Sequence, residues 1–291
     1  LVEVAEPDMH EPSGDLERLR DALAETWGVE TARCPLPVLS RLQPALRKGG
    51  WQVTVALHTP RAGAEATILD IWPGFFEGPL HGLAIDLGST TIAAHLCDLE
   101  TGAVLASAGV MNPQIRFGED LMSRVSYAMM NPGGADEMTA AVRQAIDGLA
   151  GEIVREAGID PRTVVEAVIV CNPVMHHLLL GIDPVELGQA PFALATSGAL
   201  ALAASELGLA ALNPAARAHL LPCIAGHVGA DAAAVALSEA PHLADALTLV
   251  VDVGTNAEIL LGDRDGVLAC SSPTGPAFEG AQISGGQRAA P

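Results

Sequence analysis

Ala84-Ile85-Asp86-Leu87-Gly88-Ser89-Thr90-Thr91 decides how this chain is read, because a near-copy, Val250-Val251-Asp252-Val253-Gly254-Thr255-Asn256, returns at the end of another apolar run. In each copy an apolar strand leads to a carboxylate, a glycine, and hydroxyl or amide side chains. A second strand follows, over residues 92–97 and again over 258–261. That order predicts a β-hairpin suited to an anion. Gly88 and Gly254 lack a Cβ, so positive φ and close approach of backbone N–H groups to phosphate are expected there. Ser89, Thr90, Thr91 and Thr255 add hydroxyl donors, and Asn256 an amide. Asp86 and Asp252 repel phosphate but suit a hydrated Mg²⁺ that bridges phosphate oxygens. A single Asp-x-Gly is an ordinary hairpin turn. Two copies, separated by enough chain for one α/β lobe, predict a clamp in which facing hairpins hold one Mg-nucleotide.

Composition narrows the partners. The 291 residues allow two lobes or two to three domains, and 49% hydrophobic content supplies a large core. Aromatics are only 3% and alanine is abundant, so small-residue packing of helix on sheet is expected. The 35 acids outweigh 15 bases to give −20, and Lys48 is the sole lysine. Such a surface repels nucleic acid and anionic membranes. Nucleotide binding must then rest on local loops and a cation. Cys34, Cys97, Cys171, Cys223 and Cys270 are scattered, with no C-x-x-C pair for zinc or an iron–sulfur cluster. An odd, dispersed set fits a reducing compartment. No apolar stretch of membrane-spanning length and no basic-then-apolar leader occurs, so a cytoplasmic, soluble chain is expected.

Outward from the two hairpins, residues 1–80 read as a small α/β domain, 81–240 as a first lobe and 241–291 as the start of a second. Leu16, Leu19, Leu23 and Trp27 predict an amphipathic helix over 15–28, and another spans 37–48. Strands are expected at 51–58 and 66–71, then at 83–87, 92–98 and 103–110. Residues 112–120 read as a polar loop, with Arg116, Glu119 and Asp120 either functional or simply solvated. A helix over 134–157 precedes a buried strand at 164–171. His176 and His177 are adjacent and diverge on a helix, so a satisfied polar pair is expected rather than a metal site. The Ala/Leu-rich section 191–212 reads as two helical stretches, 220–224 as a core strand, and 231–237 as a helix. The loop around Ser271, Ser272 and Pro273 reads as a proline-glycine turn.

At these residues the sequence resembles the actin, hexokinase and heat-shock-chaperone ATPase superfamily. Within it, the closer likeness is to the ATP-dependent reductive activators of corrinoid proteins. Besides the two hairpins, the matching segments are Asn112-Pro113-Gln114 with Gly118-Glu119-Asp120, Asn172-Pro173-Val174-Met175-His176-His177-Leu178-Leu179-Leu180-Gly181, Gly229-Ala230-Asp231, Glu258, and Gly275-Pro276-Ala277-Phe278-Glu279-Gly280. The likeness covers residues 81–291 well and the first eighty loosely. It implies an actin-like (ribonuclease H-like) ATPase lobe plus an incomplete second lobe, after a small α/β domain. It further implies ATP and Mg²⁺ as ligands and reduction of cob(II)alamin to cob(I)alamin on a corrinoid protein or cobalamin-dependent methyltransferase. An electron donor is required, and a homodimer is left open. Asp231, at the head of a helix that crosses between lobes in the superfamily, is the candidate general base or water positioner, with an N-cap as the alternative. Ser271 and Ser272 are the candidates to approach the partner's cobalt. The family's [2Fe–2S] domain is expected in the parent protein and not in this chain. The second lobe stops soon after its first hairpin, so a fragment is expected. A small-molecule kinase of the same superfamily and a non-enzymatic nucleotide-gated interaction module are the alternatives. A P-loop enzyme is set aside, because no G-x-x-x-x-G-K-[ST] occurs.

Overall fold

The computed structural model describes residues 1–10, 12–61, 64–254 and 256–273. Thr255 and the Gly275–Gly280 segment named above lie outside the described residues. Among the described residues three sheets carry the fold. The first is built from β1 (Val2–Glu3), β2 (Ala32–Arg33), β3 (Gln52–His58) and β4 (Ala66–Pro73) in the order β1-β3-β4-β2. Helices α1 (Asp15–Trp27) and α2 (Leu36–Lys48) pack on it, burying Leu19, Leu23, Leu42 and Leu46 against Val53, Ile68 and Ile71. The apolar spacing on α1 and α2 places these side chains on one stripe. Gly28 ends α1 in the left-handed region, with its N–H on the Ala24 carbonyl and the Val29 N–H on the Leu23 carbonyl.

The second sheet positions the site. Its strands are β5 (His81–Leu87), β6 (Thr91–Asp98), β7 (Val104–Met111), β8 (Val164–Cys171), β9 (Leu200–Ala203) and β10 (Arg217–Leu220), in the order β7-β6-β5-β8-β10-β9. β5, β6 and β7 form an antiparallel meander, while β8 joins β5 in parallel and β10 joins β8 in parallel. Leu83, Ile85, Leu87, Ala167, Ile169 and Cys171 project from one face into the main core, under α4 (Gly134–Glu156) and α5 (Pro173–Leu180). Strand alternation therefore sends Ala84, Asp86, Val168 and Val170 to the opposite face. That face is shared with α6 (Ala230–Glu239). The third sheet runs β11 (Thr248–Val253), β12 (Asn256–Asp263), β13 (Gly266–Pro273), all antiparallel.

Several sequence expectations need correction. Residues 112–120 are not a plain loop: Pro113–Phe117 is a 3₁₀ turn capped by Asn112, with Asn112 and Gln114 fully buried. An unexpected helix, α3 (Leu121–Met130), follows, capped by the Asp120 carboxylate, which accepts from the Ser123 N–H at 2.7 Å. Arg116 lies over the Phe117 ring, 4.6 Å from its centroid. Residues 191–212 contain no α-helix; they form β9 and one 3₁₀ turn, Ala204–Leu207. Pairing of β9 with β10 along the sheet edge overrides the helical preference of alanine and leucine. The strand expected at 220–224 lies earlier, at Arg217–Leu220. Ser271, Ser272 and Pro273 belong to β13 rather than to a turn, opposite Glu258, Ala257 and Asn256. His177 fits a satisfied polar role, with Nδ1 on the Pro173 carbonyl and Nε2 accepting from the Ala195 N–H. His176 does not: both ring nitrogens are buried without a partner, and burial followed by the neighbouring His177 lowers its pKa to about 4.

The first sheet is pinned to the second by one carboxylate. Asp70, fully buried on β4, accepts from Arg162 Nη2 at 2.8 Å, Asn213 Nδ2 at 2.8 Å, Arg41 Nη1 at 3.3 Å and the Ile71 N–H at 2.6 Å. Arg162 and Asn213 belong to the larger unit, so the ion-pair network spans the boundary. Beside it, Ala56, Leu69 and Trp72 pack on Val165. Asp70→Ala leaves two guanidinium groups without their shared anion and should lower unfolding free energy by about 2–3 kcal/mol, discounted because both arginines reach solvent. Urea denaturation followed by far-UV circular dichroism reads the loss.

Candidate functional site: a carboxylate-rimmed cleft between two hairpins

The two motifs quoted at the outset meet across one cleft of about 280 Å³. One wall is the β5–β6 turn, with Asp86, Gly88, Ser89, Thr90 and Thr91. The other is the β11–β12 turn, with Asp252, Gly254, Asn256 and Glu258. Asp231, in the first turn of α6, and Asn172, the cap of α5, complete the floor. Every candidate nucleotide or base residue among the described residues thus lines the same space. Ser271 and Ser272 do not line it. The Ser271 hydroxyl donates to Glu258 Oε1 at 3.2 Å, and Ser272 is exposed one position along the strand.

Local structure explains how the first turn is held. Asn112 Nδ2 donates to the Gly88 carbonyl at 2.8 Å, the Arg124 guanidinium donates to the Ser89 carbonyl, and the Asn112 N–H donates to the Thr90 carbonyl at 2.8 Å. In a trans peptide the C=O and the following N–H point in opposite directions. Anchoring these three carbonyls inward therefore directs the N–H vectors of Ser89, Thr90 and Thr91 away from the lobe, on the side of the cleft. Arg124 is buried, lies on α3, and is fixed further by the Gly118 carbonyl at 3.0 Å and the Met175 sulfur at 3.2 Å. Burial lowers its pKa to about 10, so it keeps its charge at neutral pH. Neither Gly88 nor Gly254 is in the left-handed region, contrary to expectation. Gly88 is required for space, since a Cβ there would lie 2.6 Å from the Thr91 carbonyl oxygen.

Asp231 is brought in by close packing. Gly229 caps α6, and a Cβ on it would fall 2.5 Å from the Cys171 carbonyl and 2.6 Å from the Asn172 Cα. Only glycine lets α6 start against the end of β8. Asp231 is then inside the first turn, not at the cap, and its Oδ1 accepts from the Ala232 N–H at 2.8 Å. This removes the N-cap alternative.

Electrostatics is the dominant property of the cleft. Desolvation between the walls, then the charge of Asp252, raises the Asp86 pKa. Burial, followed by Asp86 and Asp252, raises that of Asp231 to about 6. Burial and then Asp231 raise that of Glu258 despite the hydrogen bond from Ser271. Among the described residues lining the cleft there is no lysine, arginine or histidine. Four acids with no cationic side chain beside them suit a metal ion. They do not crowd into direct chelating range of one another: none belongs to a set of three ligand atoms within 4.8 Å. A small hydrated cation, bound through its water shell, fits that spacing.

Two contributors were missed from sequence. Glu258 is the direct cross-strand partner of Asp252, whereas Asp86 faces Ala93 in the other hairpin. Hairpin register, counted outward from Gly254, would have found it. Arg124 was hidden by the missed helix, whose signal was the capping Asp120.

Mixed α/β sheets with two hairpins facing one cleft and a helix starting at its floor define the actin-like ATPase, or ASKHA, fold. The chain belongs to the RACo family: the RACo middle region matches residues 81–243, the RACo linker region 1–78, and the C-terminal domain of RACo, the ASKHA domain, 246–291. It is similar to the corrinoid activation enzyme RamQ of Eubacterium limosum, 33% identical over 212 residues, covering 73% of this chain and 35% of RamQ. It is also similar to the [Co(II) methylated amine-specific corrinoid protein] reductase of Methanosarcina barkeri, 27% identical over 220 residues, with 73% and 39% of the two chains covered. A solved reductive activator for corrinoid, iron–sulfur protein superposes with a TM-score of 0.82 at 33% identity, covering 99% of this chain and 45% of that one. The chain therefore spans between a third and a half of the length of these relatives.

The raised pKa of Asp231 has a stability consequence. An acid whose folded pKa is raised contributes stability that is complete below its unfolded value and is lost as pH rises through about 6. Without nucleotide or divalent cation, Asp231→Asn should be more stable than wild type by about 1–2 kcal/mol at pH ~8, an advantage that shrinks toward zero by pH ~4. Thermal unfolding across that range is the check.

Proposed function

We propose that this chain is the nucleotide-clamping part of an ATP-dependent activator that reduces the cobalt of a corrinoid protein from cob(II)alamin to cob(I)alamin. The observation that carries the reading is the convergence of both hairpins and Asp231 on one cleft. The names of the relatives, a corrinoid activation enzyme and a corrinoid protein reductase, supply the partner class. Residues 1–80, 81–240 and 241–291 are taken as its three units.

In this reading the first hairpin presents Ser89, Thr90 and Thr91 as donors to the terminal phosphates, and Asn256 does so from the second. Asp86 and Asp252 would hold a Mg²⁺ ion through its water shell, and that ion would supply charge neutralisation for the carboxylates and the phosphates. Asp231, with a pKa near 6, takes the proton of the attacking water as ATP is split to ADP and phosphate. Loss of the terminal phosphate removes the bridge between the hairpins. The two lobe states then differ in how they bind the corrinoid protein, which is how hydrolysis biases an otherwise uphill one-electron reduction. Ser272, exposed on β13, is the nearer candidate to face the partner's cobalt, since Ser271 is engaged by Glu258.

The described residues do not fit an iron–sulfur cluster. Cys171 and Cys223 are buried with raised pKa values, Cys34 and Cys97 are half-buried, Cys270 is exposed, and no cysteine belongs to a set of three metal-binding side chains. The electron is therefore assigned to a donor outside these residues. The test is the visible absorbance of Co(II) in a mixture of full-length activator, reductant, iron–sulfur donor and corrinoid protein, with phosphate release measured in parallel. The expected result is Co(II) loss that requires ATP, with phosphate release falling by about 10²–10⁴-fold in Asp231→Asn. Equal reduction without ATP overturns the proposal.

A further inference from the structure

Away from the cleft, three side chains from two sheets converge. His58 is the last residue of β3 in the first sheet, whereas Glu166 on β8 and His219 on β10 belong to the second. β8 and β10 run in parallel with Arg217 opposite Glu166 and His219 opposite Val168. Strand alternation therefore puts Glu166 and His219 on one face, two residues out of step, and His58 arrives over that face from the neighbouring sheet. One ligand atom from each of the three residues lies within 4.8 Å of the others, and among the described residues no other trio does so. The His58 and His219 rings are tilted at 46°, with centroids 5.2 Å apart.

Hydrogen bonding does not explain the arrangement. His219 Nε2 is buried without a partner, and the Glu166 carboxylate stands 3.8 Å away, beyond hydrogen-bond range. A buried, unsatisfied ring nitrogen aimed at a carboxylate and a second imidazole is the donor set of a transition-metal site. A tetrahedral site with bonds of about 2.1 Å has its ligand atoms about 3.4 Å apart, so modest side-chain rotation closes the trio.

We infer that His58, Glu166 and His219 form a binding site for a divalent transition metal of the Zn²⁺, Co²⁺ and Ni²⁺ class, joining the first sheet to the second. Imidazole nitrogens select this class over Mg²⁺ and Ca²⁺, which favour oxygen. Three protein ligands leave a fourth position for water or a partner's donor. The metal would close the same boundary that Asp70 pins with Arg162 and Asn213. Arg217 works against it. Arg217 is the register partner of Glu166, and its guanidinium is tethered to the Ala201 carbonyl at 2.9 Å, so its charge on this face opposes the cation.

The test uses tag-free, chelator-treated full-length protein carrying Asp86→Asn and Asp252→Asn, which weakens metal uptake by the nucleotide cleft, and Co²⁺ as the probe. Equilibrium dialysis with cobalt analysis should show this site filled, and the added absorbance in a cobalt-loaded minus metal-free difference spectrum should show the d–d bands of an imidazole-bound ion. His58→Asn and His219→Asn should each weaken Co²⁺ binding by at least about tenfold, and the isosteric Glu166→Gln by a similar factor. Arg217→Gln should tighten it by at least about twofold. Circular dichroism confirms that each variant is folded. Co²⁺ uptake that is unchanged in the folded His58→Asn and His219→Asn proteins, or no uptake above that of the double His variant, overturns the assignment.

Discussion

The structure is organised around a repulsion. Asp86 and Asp252 sit on facing hairpins, with Asp231 and Glu258 beside them, and among the described residues no basic side chain enters the space they share. Burial in the cleft, and after it the neighbouring like charges, raise the pKa values of Asp86, Asp231 and Glu258. Asp252 and Glu258 are even direct cross-strand partners, an arrangement that is unfavourable by itself. In the proposed function, a cation with bound phosphate would resolve the conflict, and one held by both walls would draw them together.

Everything around the cleft serves to hold these groups against that repulsion. Strand alternation on β5 turns Asp86 away from the core that Ile85 and Leu87 fill. Gly229 lets α6 begin against the end of β8, which delivers Asp231. Buried Arg124 and Asn112 fix the carbonyl side of the first turn, so a charged side chain outside the cleft lining shapes the side that faces the cleft. A fixed positive charge is thus placed behind the loop, where it supports the backbone and leaves the cleft itself acidic.

Much of this was legible in the residue order, for reasons specific to each element. The Asp-x-Gly repeat, the alternation of β5 and β8, and the apolar stripe of α1 are local signals, and local geometry determines them. Helix α3 was not legible because its pattern is inverted: it buries Arg124 and exposes Met122, Met129 and Met130. Residues 191–212 have a helical composition, yet Leu200–Ala203 within them pair along the sheet edge with β10. Ser271 and Ser272 read as a turn from the proline that follows, but the register of β12 carries the strand through them. The meeting of His58, Glu166 and His219 has no local trace, since it depends on how two sheets pack.

The account stands on both hairpins acting on one ligand, and a double-mutant cycle on Mg-ATP affinity tests this most directly. Isothermal titration calorimetry of the full-length protein would compare wild type, Asp86→Asn, Asp252→Asn and the double variant. If the two aspartates share one hydrated cation, the second substitution costs less affinity once the first has been made, with a coupling of at least about 1 kcal/mol. Losses that add to within about 0.5 kcal/mol would mean that the corners act independently, and would contradict the clamp.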